Sequence, residues 1–186
     1  MARQRLDLDA VVESAIELID ESGLEELALA RVAEELDVQS SALYNHVEGL
    51  DGLRHAVAVR AASNLAEVLR DAAVARSGAE AVRAVGHAYR GFAAEHPGQY
   101  ASTLLRPVDS SDELVDSQVG ILDVLVRIVA GFGMEGDRAI HAARTVRSAI
   151  HGFVALEATD AFIHPQDPDV SFDQLLELVL RGLSAD

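Results

Sequence analysis

Proline is confined to the second half of this chain, and that distribution constrains the fold more than any other sequence feature. The four prolines lie at positions 97, 107, 165 and 168, so no proline interrupts a helix before residue 97. Apolar residues recur in that stretch three and four positions apart, as at Val12, Ala15, Ile16 and Ile19. This spacing is typical of amphipathic helices, and it continues through the rest of the chain. The sequence therefore predicts an all-α fold of about nine helices.

Several classes of function lack their sequence motifs. The chain has no Cys, which excludes disulfides, thiolate zinc sites and a Cys nucleophile. Its seven His residues form no HExxH or paired ExxH pattern, and neither a phosphate-binding loop nor GxSxG is present. We therefore predict no enzyme activity, no metal and no cofactor.

The first residues lack the apolar core of a signal peptide, and the apolar stretches are too short to span a bilayer. The expected location is the cytoplasm, away from membranes.

The charge of the chain is unevenly distributed. All 15 basic residues are Arg and face 31 acidic residues, giving a net charge of −16. Such a balance argues against nonspecific nucleic-acid coating and against a polybasic membrane binder, because both need a broad positive field. Residues 1–60 hold 5 Arg against 13 acids, a net −8, yet residues 39–47 contain no acid. A helix that enters the major groove lies beside phosphates, and it must therefore be free of carboxylates.

The first fifty residues follow the pattern of a helix-turn-helix within a three-helix bundle. One helix is followed by Gly23, a short helix from Leu29 to Leu36, a turn at Asp37 and Val38, and a third helix capped by Ser40 or Ser41. On that third helix Ser41, Tyr44 and Asn45 share one face, while Ala42, Leu43 and Val47 face inward. A helical hairpin without any nucleic-acid role would have the same topology, so the outward polar face carries the functional argument.

The segment from Gly23 to Leu53, above all its core ALYNHV at residues 42–47, resembles the DNA-binding part of the tetracycline-repressor (TetR) family. The resemblance is specific over residues 6–60 and only architectural beyond them. It implies a homodimeric repressor that binds a palindromic double-stranded DNA operator and is released by a small-molecule effector. The implied DNA-binding residues are Gln39, Ser40 and Ser41 at base edges, Tyr44 and His46 at phosphate or neighbouring bases, and Asn45 at adenine. The cations Arg3, Arg5, Arg31 and Arg54 can surround the recognition helix.

Three positions depart from the family pattern. Ala28 replaces the usual capping Thr or Ser of the second helix, and Asp37 replaces a turn glycine. Because Asp tolerates the left-handed conformation, we expect the turn to survive. Leu50 replaces a Lys that normally contacts phosphate, which predicts weaker binding with a salt dependence lower by about one charge.

The segment from residue 147 to 157 resembles a subgroup of the family with Trp-His-Gly in the middle of its eighth helix, although Ile150 occupies the Trp position. Gly152 within that helix predicts a close helix approach. In the family, the helices of this region enclose an effector pocket, which implies a mostly hydrophobic or aromatic ligand. The predicted pocket residues are Tyr89, Phe92, Tyr100, Leu104, Leu122, Val126, Arg147 and His151. Ordinary core packing is the alternative for the six apolar and aromatic residues, and a buried core histidine is the alternative for His151.

The two long C-terminal helices are apolar on more than one face, which favours burial against a second copy of the chain. We predict a four-helix dimer interface from the helix spanning residues 137–162 and the last helix. Its predicted residues are Val146, Ile150, Phe153, Val154, Leu175, Leu176, Val179 and Leu183.

The predicted domain organisation is a helix-turn-helix DNA-binding domain over residues 1–60 and a helical effector-binding and dimerisation domain over residues 61–186. A ligand-binding or protein-interaction module that has lost operator binding is the alternative function. Leu50 and the net charge of −8 in residues 1–60 would both fit that alternative.

Overall fold

The computed structural model describes residues 6–106 and 113–184. Within these ranges the regular elements are nine α-helices and one short 3-10 turn, Leu24–Glu26, with no strand. The helices are α1 (Leu8–Ser22), α2 (Leu29–Glu35), α3 (Ser40–Leu43), α4 (Gly49–Ala73), α5 (Gly78–Glu95), α6 (Pro97–Ser102), α7 (Glu113–Ala130), α8 (Gly136–Glu157) and α9 (Pro168–Ser184). The prediction of an all-α fold is confirmed.

The chain divides into two compact units. The first unit is drawn from Met1–Asn64 and Glu95–Gln118, and the second from Leu65–Ala94 and Val119–Asp186. Helices α4 and α7 therefore contribute residues to both units. The functional boundary predicted after residue 60 stays a prediction, and the first unit also contains α6 and the first turns of α7.

Residues of α1 to α4 form the core of the first unit. The fully buried side chains come from the apolar faces predicted by helical spacing, and Leu50 packs against this core. They include Val11, Ala15, Ile19, Val32, Leu43, Leu53 and Val57. Asp7 caps α1 by accepting a 2.9 Å hydrogen bond from the Ala10 amide, which stabilises the first turn.

Helix α6 packs closely on α1 within the first unit. Gly98 lies so near α1 that a Cβ added there would overlap the backbone carbonyl of Ile19. Asp20 of α1 accepts hydrogen bonds from the Gln99 amide at 2.9 Å and the Gln99 Nε2 at 2.7 Å, and it lies 3.0 Å from His96 Nδ1. Gln99 Oε1 accepts from Asn64 Nδ2 of α4 at 2.8 Å. One buried amide side chain thus connects α1, α4 and α6.

In the second unit, α5 and α9 are joined by three antiparallel pairs, which we call the charge ladder. Arg83 Nε donates to Glu177 Oε1 at 2.7 Å, and His87 Nε2 lies 3.0 Å from Asp173 Oδ1. Arg90 Nη2 lies 2.8 Å from Asp169 Oδ1. Between these pairs, Leu176 fills the space left by the absent side chain of Gly86, where a Cβ would come within 2.7 Å of its Cδ2.

Arg90 is the most constrained cation of the second unit. Its Nε donates to Glu157 Oε2 of α8 at 2.8 Å, and its guanidinium lies 5.0 Å from the ring centroid of Phe172. The hydrogen bond to Glu157 raises the pKa of Arg90 further above its usual range, and burial only partly opposes this. The side chain therefore stays cationic and holds α5, α8 and α9 together.

Helix boundaries differ from the sequence expectation at several ends. Helix α3 ends at Leu43 and continues as turns, and α8 ends at Glu157, where Asp160 adopts a left-handed φ of 52°. Helix α9 begins at Pro168, and the Asp167 carboxylate accepts from the Asp169 amide at 2.9 Å. Asp167 thus caps the first turn of α9. Helical spacing locates apolar faces, whereas ends depend on single local hydrogen bonds.

Candidate functional site

Helix α3 presents a polar face to solvent and an apolar face to the core. Leu43 is fully buried and Val47 is 6% exposed, whereas Tyr44 is 63% exposed. Gln39, Ser40, Ser41 and Asn45 are also exposed, Ala42 and His46 are half-buried, and no acid lies between residues 39 and 47. The orientation of this helix is therefore fixed from inside, and an uncharged set of hydroxyl, phenol and amide groups faces outward.

The turn before α3 has the conformation that the sequence predicts. Asp37 adopts a left-handed φ of 52°, its amide donates to the Glu34 carbonyl at 3.1 Å, and the Val38 amide donates to the Ala33 carbonyl at 2.9 Å. The predicted cap at Ser40 or Ser41 is wrong. Gln39 is the N-cap residue and makes no side-chain cap hydrogen bond, because α3 already begins at Ser40. Both serine hydroxyls therefore lie on the exposed helix.

Each arginine described within residues 6–64 forms an ion pair inside the chain. Arg31 Nη1 lies 2.8 Å from Glu26 Oε2, and Arg54 Nη1 lies 3.7 Å from Asp51 Oδ1. Arg60 lies 2.6 Å from Asp9. Arg3 and Arg5 lie outside the described residues. Arg31 would have to exchange a carboxylate for a phosphate to contact DNA, and sequence reasoning missed this competition because nothing local marks residue 26 as its partner.

The first unit contains a cavity of about 380 Å³. His46 and Val47, which follow α3 in the chain, are among its lining residues. Its charged lining residues include three acids, Asp9, Glu48 and Glu113, against one arginine, Arg60. Within the described ranges no group of three or more His, Asp or Glu side chains could hold a metal ion.

The residues predicted to line an effector pocket occupy different environments. Tyr89, Phe92 and Tyr100 are buried, and Leu104 is 50% exposed. Leu122, Val126, Arg147 and His151 are half-buried. Tyr100 and Leu104 belong to the first unit and the other six to the second. Three cavities of the described chain are lined by other residues, so the predicted lining stays a prediction.

Most of the residues predicted for a dimer interface are buried within the single chain. Val146, Ile150, Val154, Leu176 and Leu183 are at most 7% exposed, and only Phe153, Leu175 and Val179 are half-buried. The first five side chains lie in the interior of the second unit because helices of the same chain cover them. Gly152 has nothing within 4 Å of an added Cβ, so the close helix approach predicted there does not occur within the described chain.

The exposed apolar surface of α8 and α9 lies beside those residues. Leu178 of α9 is 61% exposed and Leu156 of α8 is 50% exposed. A cavity of about 410 Å³ between the two helices is lined by Met134, Ala142, Thr145, Val146, Leu178, Val179, Gly182 and Leu183. Sequence periodicity shows both helices to be apolar on two faces, and the structure shows which face remains uncovered.

Comparison with known proteins identifies the family. Residues 82–179 match the family model described as "Tetracyclin repressor-like, C-terminal domain". A relative from Bacillus subtilis, the uncharacterized HTH-type transcriptional regulator YobS, is 35% identical over 93% of this chain and 90% of its own length. The chain belongs to the TetR family of transcriptional regulators. As a TetR family member it is a regulator rather than an enzyme.

Two solved structures of similar fold have informative ligands. BioQ with its natural double-stranded DNA operator is 25% identical with a TM-score of 0.70, covering 98% of this chain and 100% of BioQ. A TetR variant from Acinetobacter baumannii in complex with minocycline is 25% identical with a TM-score of 0.71 and the same coverage.

No helix in the described part of this TetR family chain is long and apolar enough to cross a membrane.

Proposed function

We propose that this TetR family regulator binds a palindromic operator as a homodimer through α3 and is released by a small hydrophobic or aromatic effector. The observation that carries the proposal is the outward face of α3, where Tyr44 is 63% exposed and no carboxylate is present. The phenol of Tyr44, at the C-cap of α3, is exposed and can donate to a phosphate or a base edge. BioQ with its operator supports the DNA-binding step.

The uncovered apolar face of α8 and α9 supports the proposed homodimer. A 410 Å³ groove beside the exposed Leu178 would leave apolar surface in water, which association with a second copy would bury. Two copies related by twofold symmetry present two recognition helices to successive major-groove segments, and this geometry requires a palindromic site.

The proposed release by an effector is supported by the family resemblance and by the TetR variant in complex with minocycline. The effector would have to bind the released state better than the operator-bound state, by several kcal/mol for a complete switch. The three cavities described above are lined by other residues, so the effector class comes from the resemblance and from the apolar character of the predicted residues.

The test is fluorescence anisotropy with the DNA that flanks the gene of this protein, at about 50 mM and about 200 mM salt. The wild type should bind specifically, and Tyr44→Ala should bind at least about tenfold more weakly because one polar contact in the groove is lost. Val170→Ala, a truncation at a 54% exposed position of α9, is the matched control and should bind like the wild type.

Binding that is equal in Tyr44→Ala and the wild type would contradict the assignment of α3. If neither protein bound this DNA even at the lower salt concentration, the alternative of an interaction module without operator binding would be favoured.

A further inference from the structure

A cavity of about 280 Å³ in the second unit lies where α4 and α7 end and α5 begins. Its lining residues, which together we call the arginine pocket, are Arg70, Ala73, Val74, Arg76, Ser77, Gly78, Ala81, Val124, Arg127, Ile128 and Gly131. The volume is close to the lower end of the range of small-molecule sites, which begins at roughly 300 Å³. A cavity of this size can hold a small ligand.

The charge of the arginine pocket is opposite to that of the chain. Three of its lining residues are arginines and none is Asp, Glu or His, although acids outnumber arginines by 31 to 15 in the sequence. The 380 Å³ cavity of the first unit shows the reverse balance, with three acids and one arginine in its lining. A lining without acid is therefore a local property of the arginine pocket, and its arginines favour an anionic ligand.

Two of the three cations have no anionic partner among the described residues. Arg76 donates to the Ala72 carbonyl at 2.8 Å and lies 3.5 Å from Glu80. No carboxylate of the described chain lies within 4.0 Å of Arg70 or Arg127. Arg70 and Arg127 are in the last turns of α4 and α7, where the helix dipole favours a cation. That preference explains their positions but leaves their donors available to a ligand.

The rest of the arginine pocket is suited to a short apolar group. Ala81, Val124 and Ile128 are at most 8% exposed and form its interior wall. The start of α5 adds the Ser77 hydroxyl and the positive end of an 18-residue helix. Cationic donors at the rim beside an apolar wall match a molecule with one anionic end and one apolar end.

We propose that the arginine pocket binds a small amphipathic carboxylate, with Arg70 and Arg127 holding the carboxylate and the wall of Val124 and Ile128 contacting the apolar chain. Guanidinium groups are the preferred partners of carboxylates because their paired N–H donors match both oxygens. This site shares no residue with the effector pocket predicted from the family resemblance, and its occupancy does not depend on operator binding.

The test is isothermal titration calorimetry of the full chain, without DNA, using octanoate as the probe. Octanoate should bind saturably at one site per chain, and Arg70→Gln and Arg127→Gln should each weaken it about tenfold through loss of a charge-assisted hydrogen bond. Octanamide, which has the same length and no charge, should bind at least about tenfold more weakly than octanoate.

Arg181→Gln is the matched control, because Arg181 also lies in the last turn of a helix and lines no part of the arginine pocket. It should bind octanoate like the wild type. Circular dichroism should show the same helix content in all variants, since the substituted side chains are exposed. The proposal is overturned if octanoate does not saturate, if octanamide binds equally well, or if neither pocket substitution changes the affinity for octanoate.

Discussion

Gly98→Ala tests how closely α6 is held against α1. A methyl group at residue 98 would overlap the backbone carbonyl of Ile19 and come within 2.7 Å of the Ile19 Cγ1. Nonbonded carbon atoms attract at separations of about 3.5 Å, so the two helices would have to separate by roughly 1 Å. Backbone atoms cannot rotate away as a flexible side chain can, and the whole of α6 must therefore move.

The expected loss of stability combines two terms. Overpacking of a tight contact typically lowers the free energy of unfolding by about 1–3 kcal/mol, and a backbone clash belongs at the upper end of that range. A shift of α6 would also lengthen the 2.9 Å hydrogen bond from the Gln99 amide to Asp20. We expect the Gly98→Ala substitution to lower the free energy of unfolding by about 3 kcal/mol.

The assay is urea denaturation followed by circular dichroism at equal protein concentrations. With a denaturant slope of roughly 2 kcal/mol per molar urea, the midpoint should fall by about 1.5 M. The matched control is Gly91→Ala in α5, where an added Cβ has nothing within 4 Å, and helix propensity should raise stability by up to about 1 kcal/mol. A Gly98→Ala midpoint equal to that of the wild type, or an equal fall in Gly91→Ala, would contradict a steric clash between residue 98 and α1.

Three further substitutions probe the rest of the molecule. Arg90→Met should lower the free energy of unfolding by roughly 2 kcal/mol in urea denaturation, because two carboxylates lose their cation; an unchanged midpoint would contradict this. Leu178→Asp should weaken dimerisation about thirtyfold in sedimentation experiments while the exposed Ile163→Asp does not. Glu26→Gln should free Arg31 for phosphate, so that operator binding tightens and its salt slope steepens by about one unit; a slope like that of the wild type would count against the ion pair as a competitor.

The local sequence pattern was sufficient to predict that the chain is helical and which face of α3 points to solvent. Spacing of three and four placed Leu43 and Val47 inside, and the tolerance of Asp for left-handed backbone anticipated the φ of 52° at Asp37. These features depend on neighbours within about one helical turn, which a sequence displays directly.

Contacts between distant residues could not be read in the same way. Asp20 and Gln99 are 79 positions apart, and no pattern in the sequence connects a surface-type carboxylate to a buried amide. Periodicity also shows that α8 and α9 are apolar on two faces without showing what covers each face. Ile150 is therefore fully buried by its own chain, whereas Leu178 is 61% exposed.

The charge ladder and the space at Gly86 have separable consequences for the packing of α9. The acids of the ladder, Asp169, Asp173 and Glu177, are four residues apart, so a displacement of α9 by one helical turn would still pair two of the three rungs. Electrostatic pairing alone therefore selects the neighbour of α9 but tolerates a displacement of one turn in either direction. Leu176 fits the space at Gly86 in the native register. A methyl group at residue 86 would remove the space that Leu176 occupies and so weaken the steric preference for the native register, while the charged pairs would still hold α9 against α5.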